Sequence, residues 1–411
     1  MKRNKLLIAV VALGLAACSD KNENPAPLPD AKPIVLRHQL QAGIQQSNEF
    51  AFDLLKKTLE EEKENPNVLL SPLSVSMALS MTWNGAVGET QNEMGETLNL
   101  SGLTSDEFNE YNQTLQKELL AVDPSTRLKL ANSIWYRQDL PIKQSFLDIN
   151  RDYYQAEIKG LDFTHPEAVK TINNWCAHKT EQLIPEIIDR IPGDAVMYLI
   201  NAVYFKGTWR QPFNKENTYS GNFTAEKGTG KQVKMMKQQS VFNYTWDEDA
   251  AYLDMPYGNN AFSMTVILPQ EGKTVEEVLD NLSSEKVTSL LKDMKDFNVE
   301  VHLPRFKIEY NILLNMPLQH MGMKLAFGKD ADFSSMADAP LCISRVIHKT
   351  FAEVNEEGTE AAAATAVEIF FTSPGGVPSY TPFVVNKPFI FLIREKSTGV
   401  ILFLGKMGDI N

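Results

Sequence analysis

Residues 356–373 read EEGTEAAAATAVEIFFTS, and this stretch gives the first indication of the fold. Between Thr359 and Ser373 there is neither glycine nor proline, so nothing in the backbone prevents a continuous β-ladder. Breakers bound the stretch on both sides, because Gly358 precedes it and Pro374 opens a run rich in proline and glycine. The segment is a candidate strand, although its consecutive alanines are equally compatible with an exposed loop or a weak helix.

Side-chain alternation along this segment separates two faces. The uncharged face consists of Thr359, Ala361, Ala363, Thr365, Val367, Ile369 and Phe371. The opposite face carries Glu360 and Glu368. Small uncharged side chains suit a strand that enters a core, whereas a charged or bulky residue among them would prevent entry. A segment compatible with two states is a candidate conformational switch.

Further motifs, taken with this segment, resemble one protein family. EEGTEAAAAT resembles the proximal hinge of the reactive-centre loop of inhibitory serpins, and NKPFIFLIREKSTGVILFLGKM follows it at the usual distance. The other serpin-like motifs occur in the family's order: NVLLSPLSVS (67–76), GAVGETQNEM (85–94), NAVYFKGTWRQPF (201–213), LDMPYG (253–258), LPRF (303–306) and His348-Lys349. The resemblance covers nearly everything after residue 40. It implies a serpin fold, with three β-sheets, nine or so helices and an exposed reactive-centre loop near residues 356–382.

The rest of the chain is typical of one globular α+β domain. With 43% hydrophobic and 22% charged residues it can bury a large core, and no linker interrupts residues 45–410. Helical patterns dominate the first half and strand-like patterns the second, which favours α+β over alternating βαβ units. The patterns predict helices near 46–62, 73–84, 88–98, 105–120, 166–182 and 275–292, and strands near 196–205, 231–256, 260–268, 296–307, 367–372 and 388–405.

The N-terminus has the pattern of an exported lipoprotein. Basic residues at positions 2, 3 and 5 precede an apolar run from Leu6 to Ala17, which is too short to span a bilayer comfortably. The tetrapeptide Leu15-Ala16-Ala17-Cys18 resembles a bacterial lipobox, which implies cleavage before Cys18 and lipidation of its thiol. The alternative is an ordinary signal peptide beside an incidental cysteine.

These signals divide the chain into a signal peptide (1–17), a lipidated, proline-rich tether (18–37) and a serpin domain (38–411). The tether should be extended, at roughly 3 Å per residue. Two acyl chains would anchor it stably, where one would be marginal. We expect a bacterial outer-membrane lipoprotein, facing the cell surface or the periplasm.

Two cysteines, Cys176 and Cys342, remain for the domain. Cys176 lies in a helical pattern beside Trp175, and Cys342 lies in the apolar run 341–343. These surroundings predict two buried free thiols. A disulfide between them is compatible with an oxidising compartment, and the sequence does not decide between the two states.

The sequence carries no pattern for catalysis, metal binding or nucleic-acid binding. It has no H-E-x-x-H, no Cys/His pairs at metal-ligand spacing, no G-x-S-x-G and no G-x-x-x-x-G-K-[ST]. A net charge of −12 argues against a nucleic-acid partner. We expect no enzymatic activity, no cofactor and no metal.

The resemblance implies a mechanical function. In the family, a target protease attacks the exposed loop, forms an acyl-enzyme and is carried away when the cut loop inserts as a new strand of the large sheet. Counting from Glu356 as in the family places the reactive bond between Thr372 and Ser373, which suits an elastase-like protease. Phe371 offers a chymotrypsin-like protease the preceding bond, between Phe371 and Thr372. Cysteine proteases are further potential targets.

The resemblance also assigns structural roles. The hinge comprises Glu356, Glu357, Gly358, Thr359, Glu360, Ala361, Ala362, Ala363, Ala364 and Thr365. Trp209 matches the tryptophan of the breach, where the hinge enters the large sheet; without the family it is a core aromatic residue. Ser71, Ser74, Asn201 and His348 match the shutter, where side-chain hydrogen bonds permit strands to part. Taken alone, His348 would be a core histidine with satisfied hydrogen bonds.

Three functions remain open. The hinge favours an inhibitor of elastase-like or chymotrypsin-like serine proteases that acts as a monomer. A non-inhibitory serpin that carries a ligand is the second. A surface lipoprotein that uses the fold only as a platform for adhesion is the third.

Overall fold

The computed structural model describes residues 28–100, 102–359 and 380–410. The helices within these residues are α1 (His38–Glu61), α2 (Pro72–Trp83), α3 (Gly88–Thr97), α4 (Ser105–Ala121), α5 (Gln144–Tyr154), α6 (Glu167–Lys179), α7 (Val275–Asp280), α8 (Ser284–Asp293) and α9 (Asn315–His320). The helix predicted at 275–292 is divided into two, because the Ser283 side chain accepts a hydrogen bond from the Lys286 backbone and starts a new helix. None of the helices in the described ranges is long and apolar enough to cross a membrane.

Strands are distributed along the whole described chain. They are β1 (Asn67–Leu70), β2 (Arg127–Arg137), β3 (Glu157–Leu161), β4 (Met197–Thr208), β5 (Tyr219–Thr224), β6 (Gly230–Trp246), β7 (Ala250–Pro256), β8 (Phe262–Pro269), β9 (Lys295–Pro304), β10 (Phe306–Leu313), β11 (Ile347–Asn355), β12 (Gly358–Thr359), β13 (Thr381–Val384), β14 (Phe389–Glu395) and β15 (Ile401–Met407). The strand predicted at 367–372 lies outside the described residues. The α+β class is confirmed.

The six-stranded sheet has the order β10-β11-β12-β4-β2-β3. Its long strands β11 and β4 are neighbours only through β12, which is two residues long and pairs with both. In the described part of the chain, no other strand lies between β11 and β4. The sheet therefore has an opening at its centre, in which β12 is the only strand of the described residues.

The second sheet has nine strands in the order β1-β15-β14-β8-β7-β6-β9-β13, with β5 also paired to β6. Strand β6 is 17 residues long and pairs with β7 near its end and with β9 along most of its length. One continuous strand thus joins two parts of this sheet. The described residues form two hydrogen-bonded sheets, where the resemblance implied three.

Helix α2 lies between the two sheets and contacts β4 on one side and β15 on the other. Of its 12 residues only Ala78 is partly exposed, because the helix is enclosed on almost every side. It starts at Ser71, whose hydroxyl accepts a hydrogen bond from the Ser74 backbone, and Pro72 occupies the first turn. This start places two serines directly beneath the opening.

The two cysteines differ in their surroundings. Cys176 is buried in α6, and burial raises the pKa of its thiol to about 12. Cys342 is exposed, so the prediction that both thiols are buried is wrong for this residue. Residues 341–343 form no strand or helix and run along the surface, where the side chains on either side of Cys342 are only partly buried. Both cysteines are free.

Candidate functional site at the opening between β4 and β11

Strand β12 is antiparallel to both of its neighbours. Gly358 lies opposite Thr208 of β4 and Asn355 of β11, and Thr359 lies opposite Gly207 and Val354. A continuation of β12 in the same register would therefore run down the opening, towards the first residues of β4 and of β11. The pairing sets the direction in which the rest of the hinge would enter.

Trp209 holds the backbone that leads into β12. Its backbone N–H donates to the Glu357 carbonyl at 2.8 Å, and its indole Nε1–H donates to the Asn355 carbonyl at 2.9 Å. The Phe213 backbone N–H donates to the Glu356 carbonyl at 2.8 Å. Three successive peptide groups on the approach to the hinge are thus bound to the segment that follows β4.

The two hinge glutamates that lie within the described residues, Glu356 and Glu357, are both paired. Glu356 has a side chain that is only 2% exposed, and its Oε1 accepts hydrogen bonds from Arg305 Nε at 2.8 Å and from Thr218 Oγ1 at 2.5 Å. Burial would raise the pKa of Glu356, but the hydrogen bonds from Arg305 and Thr218 outweigh it and hold the pKa below its usual value. Lys215 Nζ lies 2.5 Å from the Glu357 carboxylate. Glu356 is therefore ionised and anchored at neutral pH.

Gly358 is required by its backbone conformation and by its surroundings. Its φ is +150°, which residues with a side chain rarely adopt. A Cβ at this position would lie 2.0 Å from the Gly207 carbonyl oxygen and 2.8 Å from Thr208 Cα. Both contacts are with backbone, which cannot rotate away. Only glycine permits β12 to approach β4 this closely.

Thr359 is the first hinge side chain to enter the core. It is 3% exposed, and its hydroxyl lies 2.6 Å from the hydroxyl of Tyr257. Tyr257 is fully buried and stacks on Trp209 with ring centroids 4.4 Å apart. Burial raises the pKa of Tyr257 well above its usual value, so the phenol stays protonated and can donate. Thr359 is the first residue of the predicted inward face, and its side chain is buried. The remaining hinge residues, Glu360 to Thr365, lie outside the described residues.

A cavity of about 140 Å³ continues the opening below β12. Its walls come from residues 195–203 of β4 and the chain preceding it, from residues 341–350 of β11 and the chain preceding it, and from α2. Ile184, Ile187 and Ile188 also line it. Much of the lining is apolar, as at Val75, Leu199 and Ile347, which suits small uncharged side chains. The opening therefore leads into space that an inserted strand could occupy.

The four predicted shutter residues meet at the bottom of this cavity. His348 Nε2 accepts a hydrogen bond from the Ser71 backbone N–H at 3.0 Å, and Ser71 Oγ donates to the Leu402 carbonyl at 2.8 Å. Burial lowers the pKa of His348 to about 4, so the imidazole is neutral and its Nε2 is free to accept. Ser74 Oγ donates to the Asn201 carbonyl at 3.1 Å. These bonds connect β11 and β4 to α2 rather than to each other.

Asn201 links this group to the other side of the sheet. Its Nδ2 donates to Asn132 Oδ1 at 2.7 Å, and Asn132 in turn donates to the Tyr154 carbonyl at 2.6 Å. Asn201 Oδ1 is buried and has no hydrogen-bond partner among the described residues. A buried acceptor without a partner is costly, and it lies beside the space that a new strand would fill.

A family model described as "Serpin (serine protease inhibitor)" matches residues 45–410. The chain belongs to the serpin family. The resemblance inferred from the sequence is thereby confirmed. The roles assigned to the hinge, breach and shutter residues stay predictions.

Relatives of this serpin occur in distant organisms. An uncharacterized serpin-like protein of Thermococcus kodakarensis is 34% identical over 99% of both chains. The leukocyte elastase inhibitor of Sus scrofa is 36% identical over 88% of this chain and 97% of its own. Among solved structures, a thermophilic serpin, tengpin, in the native state has a TM-score of 0.83 at 35% identity, covering 93% of this chain and 97% of tengpin.

The structure adds residues that the sequence did not assign to the site. Tyr257, Arg305 and Thr218 bind the hinge, and Asn132 and Thr350 extend the polar group below it, where Thr350 Oγ1 donates to the Leu69 carbonyl at 2.8 Å. Tyr257 and Arg305 lie inside the motifs LDMPYG and LPRF, which marked the family without indicating a role. Cys18 and the proposed reactive-bond residues Phe371, Thr372 and Ser373 lie outside the described residues. Within the described ranges, no group of His, Cys, Asp and Glu side chains could hold a metal ion.

Proposed function

We propose that this serpin inhibits serine proteases as a suicide substrate. The cleaved loop enters between β4 and β11 as a full strand and carries the covalently bound protease with it. The observation that supports this most directly is β12: two hinge residues already pair with both long strands, above an opening that no other described strand occupies.

The length of the segment fits this role. Residues 359–372 comprise 14 residues, which span about 46 Å as a strand at roughly 3.3 Å per residue. Strand β4 has 12 residues, or about 40 Å on the same basis. A protease attached at Thr372 would therefore travel to the far end of the sheet. A distortion of its active site against the serpin body at that end would prevent deacylation.

The driving force has two parts. A new central strand forms hydrogen bonds with both neighbours, and a dozen such bonds at a net 0.5–1.5 kcal/mol each contribute about 10 kcal/mol. The inward residues after Thr359 are Ala361, Ala363 and Thr365, which are small enough to enter the narrow opening. The whole stability of an ordinary domain is only about 5–15 kcal/mol, so this gain makes insertion practically irreversible.

The reactive bond is proposed between Thr372 and Ser373, with the bond between Phe371 and Thr372 as the second site. The first would serve elastase-like proteases and the second chymotrypsin-like proteases, with cysteine proteases as further targets. The similarity to a relative named leukocyte elastase inhibitor supports the first choice. We also propose that Cys18 carries the lipid that anchors the protein to the bacterial outer membrane, on the strength of the lipobox at 15–18.

The test uses the chain without residues 1–18, incubated with neutrophil elastase and with a chymotrypsin-like protease. An SDS-resistant complex is expected, together with a released C-terminal peptide that begins at Ser373; a peptide that begins at Thr372 would move the bond to Phe371. The thermal midpoint should rise after cleavage, because the inserted strand fills the opening. Cleavage without a complex and without a rise would count against inhibition and favour a carrier.

A matched pair of variants tests whether inhibition requires the loop to insert into the sheet. Ala363→Arg places a charge on the inward face, where burial without a partner is strongly unfavourable, and should convert the inhibitor into a substrate. Ala362→Arg places the same charge on the outward face and should leave complex formation intact. Equal complex yields from the two variants would contradict insertion in the proposed register.

A further inference from the structure

The chain before α1 lies against the body of the protein rather than apart from it. The Ile34 backbone N–H donates to Ser397 Oγ at 2.9 Å, and the Ala31 backbone N–H donates to the Asn259 carbonyl at 2.8 Å. Ile34 and Leu36 are buried, whereas Val35 between them is 86% exposed. Residues 28–36, here called the docked segment, are thus held against the body by these two hydrogen bonds and by the buried side chains of Ile34 and Leu36.

The docked segment leads to the end of the molecule that carries the hinge. Arg210 Nη2 donates to the Leu28 carbonyl at 3.3 Å and lies 2.8 Å from Asp30 Oδ1. Arg210 directly follows Trp209, whose backbone N–H donates to the Glu357 carbonyl. Arg210 therefore connects Leu28, the first described residue of the chain, with the residues that bind the hinge.

The position of Leu28 limits how far the hinge end of the protein can lie from a membrane anchor at Cys18. Leu28 lies ten positions after Cys18, and a fully extended chain of ten residue steps spans about 35 Å at most. A globular protease of about 230 residues has a radius of gyration of about 17 Å, which corresponds to a diameter of about 45 Å. If the docked segment were released, the tether between the anchor and the folded body would run from Cys18 to His38, which lies 20 positions further along the chain. Fully extended, this tether would span about 70 Å.

We infer that the membrane-anchored protein holds its hinge end towards the bilayer, and that the docked segment restricts access of soluble proteases to the loop until it is released. The inference rests on the proposed lipidation of Cys18 and on the proposed role of the loop as bait. The partner that this geometry fits is a soluble globular protease, which reaches the loop once the longer tether lifts the body from the surface.

The experiment anchors the protein without relying on natural lipidation. The chain from Cys18 onwards, with Cys342→Ser to remove the exposed thiol, is coupled through Cys18 to maleimide-bearing lipids on vesicles. A second form carries an additional Gly/Ser linker of about 20 residues after Asn24, which adds length without structure. The rate at which a chymotrypsin-like protease consumes the intact loop is measured for both, as cleaved and complexed protein together, with the uncoupled proteins as reference.

We expect the natural-length anchored form to react about tenfold more slowly than its uncoupled counterpart, because approach to the loop is restricted. The extended form should react as fast on vesicles as in solution. Replacing Asp30→Ala together with Ile34→Ser should weaken docking and accelerate the natural-length form on vesicles, with no effect in solution. Equal rates for the two tether lengths on vesicles would overturn the inference.

The same measurements test the proposed inhibition and the proposed restriction of access separately. Loop consumption is counted whether or not the protease is trapped, so it reports access alone. The fraction of complex formed by the uncoupled protein reports inhibition alone. A protein that is cleaved without trapping would refute the proposed function and still decide the question of access.

Discussion

The bond between the hydroxyls of Tyr257 and Thr359 should control how firmly the hinge is held at the top of the opening. The oxygens are 2.6 Å apart, Tyr257 is fully buried and Thr359 is 3% exposed. Tyr257→Phe removes one partner and leaves the Thr359 hydroxyl buried without a hydrogen bond. The cost of such an orphaned group is about 1–3 kcal/mol, which corresponds to roughly a 5- to 150-fold increase in opening of the hinge.

Native-state hydrogen exchange of the Trp209 backbone amide is the assay. This amide donates to the Glu357 carbonyl at 2.8 Å, so it exchanges when the hinge opens. Exchange should accelerate roughly 5- to 150-fold in Tyr257→Phe and by a similar factor in Thr359→Val. The double variant should exchange more slowly than either single variant, because no hydroxyl remains unpaired once both are gone.

Tyr310→Phe is the matched control. Tyr310 is also buried, but its hydroxyl has no hydrogen-bond partner among the described residues, so its removal orphans nothing. Exchange of the Trp209 amide should not change in this variant. The reasoning fails if Tyr257→Phe leaves Trp209 exchange unaltered, if Tyr310→Phe accelerates it equally, or if the Tyr257 and Thr359 effects simply add.

Three other perturbations test the site. Burial lowers the pKa of His348 from 6.5 to about 4. The free energy of unfolding should therefore keep its full value above pH 6.5 and decrease by roughly 3 kcal/mol as the pH drops towards 4, because the unfolded chain then binds a proton at His348 that the folded protein does not. Urea unfolding of His348→Gln should lack this part of the pH dependence. Gly358→Ala introduces a Cβ 2.0 Å from the Gly207 carbonyl oxygen and should expel β12, which raises the ratio of cleaved to complexed inhibitor. Arg305→Ala removes hydrogen bonds that hold the pKa of Glu356 below 4.5 and should lower the unfolding free energy by roughly 2 kcal/mol at neutral pH. The Arg305 effect should shrink as the pH falls below 4.5, because the stabilising charge on Glu356 is then lost in the parent protein as well.

Short motifs in the sequence pointed to the hinge and to the residues beneath the opening, whose assigned roles stay predictions, but the sequence did not indicate their hydrogen-bond partners. The motifs containing Trp209 and His348 could be identified because each is a short run of consecutive residues. Strand β11 was not predicted, since its buried face carries His348 and Thr350 and therefore lacks the apolar alternation of a typical strand. Cys342 was predicted to be buried because its neighbours are apolar, but a surface loop exposes alternate side chains whatever their type.

By itself, the sequence determined that the chain belongs to this fold. It also predicted that residues 359–373 are compatible with a loop or a strand, and that one face of that segment suits a core. These properties depend on local backbone preference and on side-chain alternation, which consecutive residues carry. The tertiary structure alone decided which strands flank the opening, that Gly358 and Thr359 pair with both of them, and that Tyr257 and Arg305 bind the hinge there. Trp209 and Asn355 lie 146 positions apart, and no local pattern specifies a hydrogen bond across that separation, because only the packed sheets bring the two residues together.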